Sequence, residues 1–177
     1  MGTIQRNSEF EKLTTTQKGN VGEQIVQDFL EGKGFVCYRP VTEKAHPFDF
    51  LAIKDKTIAI AAEVKTKALM NKWKATGFNL SSYKDYSRFS KNHNMLIFIF
   101  FVDENMKQIY GNWLHELEKP CVVSGTAFPH VINRYNGQDV IIFPYQNMRY
   151  IADLTEETAQ QLQELSTRSY GYEPEYE

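Results

Sequence analysis

Residues His46 to Lys67 read HPFDFLAIKDKTIAIAAEVKTK, and the reading of this stretch decides the fold. Phe48 to Ile53 is short, apolar and aromatic, and Thr57 to Lys65 is β-branched and Ala-rich, so both are predicted as strands rather than helices. Lys54, Asp55 and Lys56 form the turn. With this three-residue loop Ile53 pairs with Thr57 in an antiparallel hairpin, and Asp49 lies across from Ala61. Side chains alternate between the faces of a sheet, so Ala61, Glu63 and Lys65 share a face with Asp49. Glu63 is then the diagonal neighbour of Asp49, roughly 7–8 Å away in backbone terms. The other face carries Phe48, Phe50, Ala52, Ile58, Ile60, Ala62 and Val64, an apolar set suited to a core. A two-residue loop would reverse the parity and separate the two acids.

Two carboxylates that lean together across that gap can hold one divalent ion. Mg²⁺ takes hard oxygen ligands and keeps several waters, so one or two carboxylates plus a substrate phosphate make a sufficient site. Lys65, two residues beyond Glu63 on the same face, could orient or deprotonate an attacking water and screen the transition state. A solvated strand end with a surface ion pair is the plainer reading of Glu63 and Lys65. Against it, both acids interrupt or end apolar strands, where unpaired charge is costly.

In this spacing Asp49, Glu63, Val64 and Lys65 resemble the signature of the PD-(D/E)XK nuclease superfamily. Phe48 separates Pro47 from Asp49, where many members have proline directly before the acid. Upstream, the string Lys18-Gly19-x-x-Gly22-Glu23, with Gly34-Phe35 following, resembles the opening of the Holliday-junction-resolvase-like members. The resemblance implies an α/β, restriction-endonuclease-like αβββαβ core with a mixed central sheet flanked by helices, here extended by a C-terminal β-hairpin and helix. It also implies a metal-dependent endonuclease acting on the phosphodiester bonds of DNA, with branched or junction DNA as a candidate substrate. Asp49, Glu63, Lys65 and Glu23 would be the catalytic group, and Mg²⁺ or Mn²⁺ would be held by Asp49, Glu63 and the Val64 carbonyl. Glu23 would be the third acid, acting through the metal's water. A non-catalytic nucleic-acid-binding or assembly module on the same fold is the alternative.

Around this hairpin the chain divides into an N-terminal arm (residues 1–16), a core with a short extension (17–117), a hairpin-and-helix decoration (118–168) and an acidic tail (169–177). A helix is predicted from about Gln17 to Glu31, with Thr15 or Thr16 as N-cap and Val21, Ile25, Val26, Phe29 and Leu30 as its apolar face. Gly19 and Gly22 on or near that face would let it approach a sheet closely. Phe35 to Arg39 is the first strand. Ala68 to Leu80 is expected as a loop, where Lys72, Trp73, Lys74 and Phe78 interleave bases and aromatics in a pattern suited to nucleic acid or to packing beneath the loop. A helix from Ser81 to Lys91 carries Lys84, Arg88 and Lys91 on one face and Tyr83, Tyr86 and Phe89 elsewhere; neither tyrosine is singled out as catalytic. Met95 to Val102, MLIFIFFV, reads as a strand covered on both faces. Beyond it come an edge strand at Gln108 to Tyr110, a short helix at Asn112 to Leu117, a hairpin turning at Asn136-Gly137 and a helix from Thr155 to Leu165. His46 beside Pro47 fits a turn better than catalysis.

The 177 residues, 42% hydrophobic and 24% charged, suit one ordinary globular domain. Cys37 and Cys121 lack any metal-ligand spacing and read as buried thiols of a cytoplasmic protein. No apolar run is long enough to span a membrane. Net charge is −2, yet between Lys54 and Lys91 nine basic residues stand against three acidic ones. That concentration marks DNA as the expected partner, with Lys67, Lys72, Lys74, Lys84, Arg88 and Lys91 as the backbone-contacting set. A homodimer would let one site per subunit cut both strands of a duplex.

Overall fold

The computed structural model describes residues 14–41, 48–55, 58–134 and 138–169. His46 and Pro47, the Asn136-Gly137 turn, and most of the expected N-terminal arm and acidic tail lie outside the described residues. The first helix among the described residues, α1 (Thr14–Gly32), starts at least three residues before the expected Gln17. It leads to β1 (Val36–Tyr38), β2 (Phe50–Lys54) and β3 (Ile58–Thr66). The segment expected as a loop contains a strand, β4 (Ala75–Asn79), which runs directly into α2 (Leu80–His93). Next come β5 (Ile97–Asp103), β6 (Gln108–Trp113) and the single turn α3 (Leu114–Leu117). The C-terminal third supplies β7 (Cys121–Val123), β8 (Thr126–Phe128), β9 (His130–Ile132), β10 (Val140–Pro144), β11 (Arg149–Asp153) and α4 (Glu156–Ser169).

A mixed six-stranded sheet has the order β1-β2-β3-β5-β6-β11, with β3 and β5 parallel and the other neighbours antiparallel. The expected αβββαβ order is present, with β4 inserted before α2. The apolar run of β5 lies at the middle of the sheet, as a strand buried on both faces must. The strand at Gln108 is not an edge, because β11 pairs outside it. Residues 118–168 are built into the core: β10 pairs with β4 and β9 in a second, three-stranded sheet, and α4 packs beside α1 on the main one.

Each face of the main sheet has its own core. On one, Val26 and Leu30 of α1 and Leu154, Ala159 and Leu162 meet Phe50, Ala52, Ala62, Val64, Phe100 and Val102. Gly22 is indispensable to this contact, since a Cβ there would stand 1.9 Å from the Thr66 hydroxyl oxygen; Gly19 has nothing within 4 Å of such a position. On the other face, Phe78, Ile141 and Phe143 of the second sheet and Tyr86 of α2 cover Ala61, Ile97, Ile99, Phe101 and Tyr110. Phe78, 2% exposed, stacks within 5.4–6.4 Å of Tyr86, Phe143 and Phe101, so it is a core aromatic rather than a surface one. Two members of the expected apolar face depart from it: Ile58 is 45% exposed, and Phe48 packs against Phe89 on the opposite side.

Candidate metal centre

The hairpin that carries the signature is shifted from the expected register. Phe50 pairs with Ala62, Ile53 with Ala59 and Lys54 with Ile58, so the connection is residues 55–57 rather than 54–56. Asp55 takes the left-handed conformation there (φ 55°), which a short aspartate side chain tolerates in a turn. The loop still has three residues, and the parity is therefore kept. The ladder ends at Phe50–Ala62; Asp49 lies just before it, where its amide donates to the Ala62 carbonyl at 2.9 Å and its carboxyl is within electrostatic reach of Glu63.

The side chains complete a compact cluster. Asp49 Oδ2 accepts the Val64 amide at 2.7 Å. Glu63, 4% exposed, receives Lys65 Nζ and the Tyr86 hydroxyl on the same oxygen, Oε1, each at 2.5 Å. Burial, Glu63 and Glu23 push the Asp49 carboxyl up from 3.8 to about 8, against the opposing pull of the Val64 amide and Lys65. For Lys65, burial acts downward, but Glu63 and Tyr86 outweigh it and the ammonium ends above its ordinary value. Lys65 is thereby held as a charged donor to Glu63. Burial and then Glu63 raise the Tyr86 hydroxyl, which stays a protonated donor.

Glu23 stands apart from this pair. Arg39 donates to its Oε2 at 2.7 Å and Gln27 engages the same guanidinium, so the glutamate is held by a neighbouring strand end and acts on Asp49 through space. Among the described residues no three His, Cys, Asp or Glu side chains converge as a metal cluster. The donor set still suits a hard divalent ion, which needs no more than one or two carboxylates, and the Asp49–Glu63 juxtaposition is one that such a charge would relieve.

The expected DNA-contacting residues fall into separate groups. Lys67 lies just past the end of β3, near the cluster, and its ammonium is lowered to about 8 by burial of its surroundings and by Lys65, Arg134 and Lys18. Lys72 and Lys74 are exposed in the turn before β4, with Lys72 4.7 Å from the Trp73 ring centre and Trp73 against His130. Lys84, Arg88 and Lys91 are exposed on α2, but Tyr86 occupies the helix face turned to Glu63. At about 100° per residue, Lys84 and Arg88 point the opposite way. Lys91 instead borders a groove of about 290 Å³ between α2 and α3, lined also by Leu96, Leu114 and His115. Tyr86 is the site residue that sequence reasoning missed. The three-residue spacing of Tyr83, Tyr86 and Phe89 puts an aromatic stripe on the sheet, but only packing directs one hydroxyl to Glu63.

No protein-family model and no curated protein matches this sequence. Among solved structures, the chain is similar to Hjc of Archaeoglobus fulgidus, a Holliday junction resolvase from an archaeal hyperthermophile, at 17% identity and a TM-score of 0.45, over 59% of this chain and 84% of that one. It is also similar to D212, a nuclease from a fusselovirus, at 9% identity and a TM-score of 0.49, over 90% of this chain and 98% of that one.

Proposed function

We propose that this chain is a metal-dependent endonuclease that hydrolyses phosphodiester bonds in DNA, with branched or junction DNA as the candidate substrate. The observation that carries this reading is the proximity of two carboxylates, Asp49 and Glu63, beside a charged lysine, with burial and then the charges of Glu63 and Glu23 raising Asp49 to about 8. Asp49, Glu63 and the Val64 carbonyl would hold Mg²⁺ or Mn²⁺, which when bound neutralises phosphate charge and lowers the pKa of its water. Lys65 orients the attacking water and stabilises charge on the phosphate. Tyr86 and Lys65 hold Oε1 of Glu63, so that its second oxygen would be the one available to the ion. Glu23, held by Arg39, would support the metal through its water. Lys67, Lys72 and Lys74 contact the backbone near the site, and Lys84, Arg88 and Lys91 contact it where DNA passes the outer face of α2. Two copies would serve the two strands, in the cytoplasm, where Cys37 and Cys121 stay reduced.

A second reading, a non-catalytic DNA-binding module, is favoured by one feature: Glu63 Oε1 is already taken by Lys65 and Tyr86, and Glu23 by Arg39. Labelled junction, flap, duplex and single-stranded DNAs, incubated with wild type and Glu63→Gln under Mg²⁺, Mn²⁺ or EDTA, separate the two. Metal-dependent cutting that vanishes in the variant supports the nuclease, and the preferred DNA identifies the substrate. Binding without cutting under either metal transfers the assignment to the module.

A further inference from the structure

The end of β3 gathers more positive charge than the signature requires. The Lys67 amide donates to the Val102 carbonyl at 3.0 Å, extending the β3–β5 ladder, so Lys67 keeps the alternation and shares the Lys65 face. Arg134 arrives at the same rim from the second sheet. Lys65 Nζ lies 5.8 Å from the Phe78 ring centre, and Phe78 pairs with Ile141 of β10. Two residues before Ile141, Asp139 accepts the Arg134 amide at 3.2 Å and gives its carbonyl to the Leu80 amide at 2.7 Å. Arg134 is thereby linked through Asp139 to the first residue of α2, and it lies within electrostatic reach of Lys67.

The cations there are not equally satisfied. Lys65 is neutralised by Glu63 and Lys18 by Glu104, each at 2.5 Å. Lys67 and Arg134 are exposed, and neither side chain has a hydrogen bond or ion pair among the described residues. Like charges within electrostatic reach of one another repel, and a bound anion turns the repulsion into charge-assisted hydrogen bonds. We propose that Lys67 and Arg134 together grip one backbone phosphate next to the scissile phosphate, so that the chain just after β9 helps to set the path of the DNA over the site. This subsite rests on the nuclease reading above for its ligand and its placement.

The test is binding rather than cleavage, measured by anisotropy with labelled duplex and junction DNA in EDTA, from about 50 to 200 mM salt. Arg134→Gln is expected to lower the slope of log affinity against log salt by about one, and to weaken binding about threefold or more at the lower end. Lys33→Gln, which removes an equal charge at the far end of α1, leaves the slope unchanged. Because both side chains would grip one phosphate, Lys67→Gln with Arg134→Gln costs less than the product of the single losses. A wild-type slope in Arg134→Gln, an equal loss in Lys33→Gln, or fully multiplicative losses overturns the subsite. Wild type that binds no DNA overturns the nuclease reading and the subsite with it, whereas DNA binding without cleavage removes the nuclease alone and leaves these arms to decide the subsite.

Discussion

Two buried glutamate–lysine pairs, Glu63–Lys65 and Glu104–Lys18, have the same 2.5 Å contact and nearly the same burial of the acid, yet their surroundings differ. Glu104 shares Oε1 with the Ser166 hydroxyl, and its Oε2 has no hydrogen-bond partner among the described residues. Glu63 shares Oε1 with Tyr86 and lies beside a second carboxylate, which it helps to raise to about 8. The first pair ties α1 and α4 to the turn after β5, and its charge is closed. The second has a further carboxylate next to it, Asp49, which keeps its proton up to about pH 8 unless another cation arrives. A buried ion pair is weak evidence of function by itself; the unrelieved neighbour is what distinguishes the candidate site.

Glu104→Gln should break this comparison most forcefully. It strands the Lys18 ammonium, and denaturant unfolding should show a loss of about 3 kcal/mol or more. Cleavage per folded molecule should stay at the wild-type value. Glu63→Gln should do the reverse, abolishing cleavage while stability stays within about 1 kcal/mol, because the substitution also removes repulsion on Asp49. Comparable stability losses in the two variants would end the distinction.

Lys65→Met comes next, with cleavage at saturating metal reduced by about 10²–10³-fold if the lysine stabilises transition-state charge. A fall in metal affinity alone would limit Lys65 to shaping Glu63.

The pH dependence of stability sharpens the contrast further. Asp49 has a folded pKa of about 8 against an ordinary 3.8, so between these values the native state holds a proton that the unfolded chain has lost. Metal-free protein should therefore lose stability as pH rises from about 4 to about 8, by about 2 kcal/mol for a partly exposed group, with no further change above. Asp49→Asn should flatten that slope, and Glu104→Gln should leave it in place. Urea melts at successive pH values provide the check. The smallest effect belongs to Tyr86→Phe, with metal affinity reduced about tenfold, read by metal titration of the folded protein.

Much of this was legible before any coordinates. Apolar runs and their flanking turn residues located α1, β2, β3, α2, β5 and α4, and period-two alternation alone put Glu63 and Lys65 on one face. Two features escaped for a common reason. Strand β4 has five residues, and what makes ATGFN a strand is its pairing with β10, more than 60 residues away. Strand β11 likewise reads as no more than a short polar-aromatic stretch until β6 pairs with it. β9 and β10 pair antiparallel as expected, with the described ladder ending at Ile132–Val140 and the Asn136-Gly137 turn outside the described residues.

The sequence by itself determined the local geometry and the chemistry available: an αβββαβ succession, an acid and a lysine two residues apart on β3, a glycine where α1 meets Thr66, and a basic middle segment. Those follow from backbone periodicity and side-chain type, which neighbouring residues settle among themselves. Tertiary structure alone decided the partners. It moved the hairpin register, set the Asp49 carboxylate on the Val64 amide, gave Glu23 to Arg39, turned Tyr86 onto Glu63, sent Lys84 and Arg88 to the outer face, and brought Arg134 within electrostatic reach of Lys67. A side chain's direction is set by its own strand or helix, whereas what it meets there depends on which distant surfaces the core brings together.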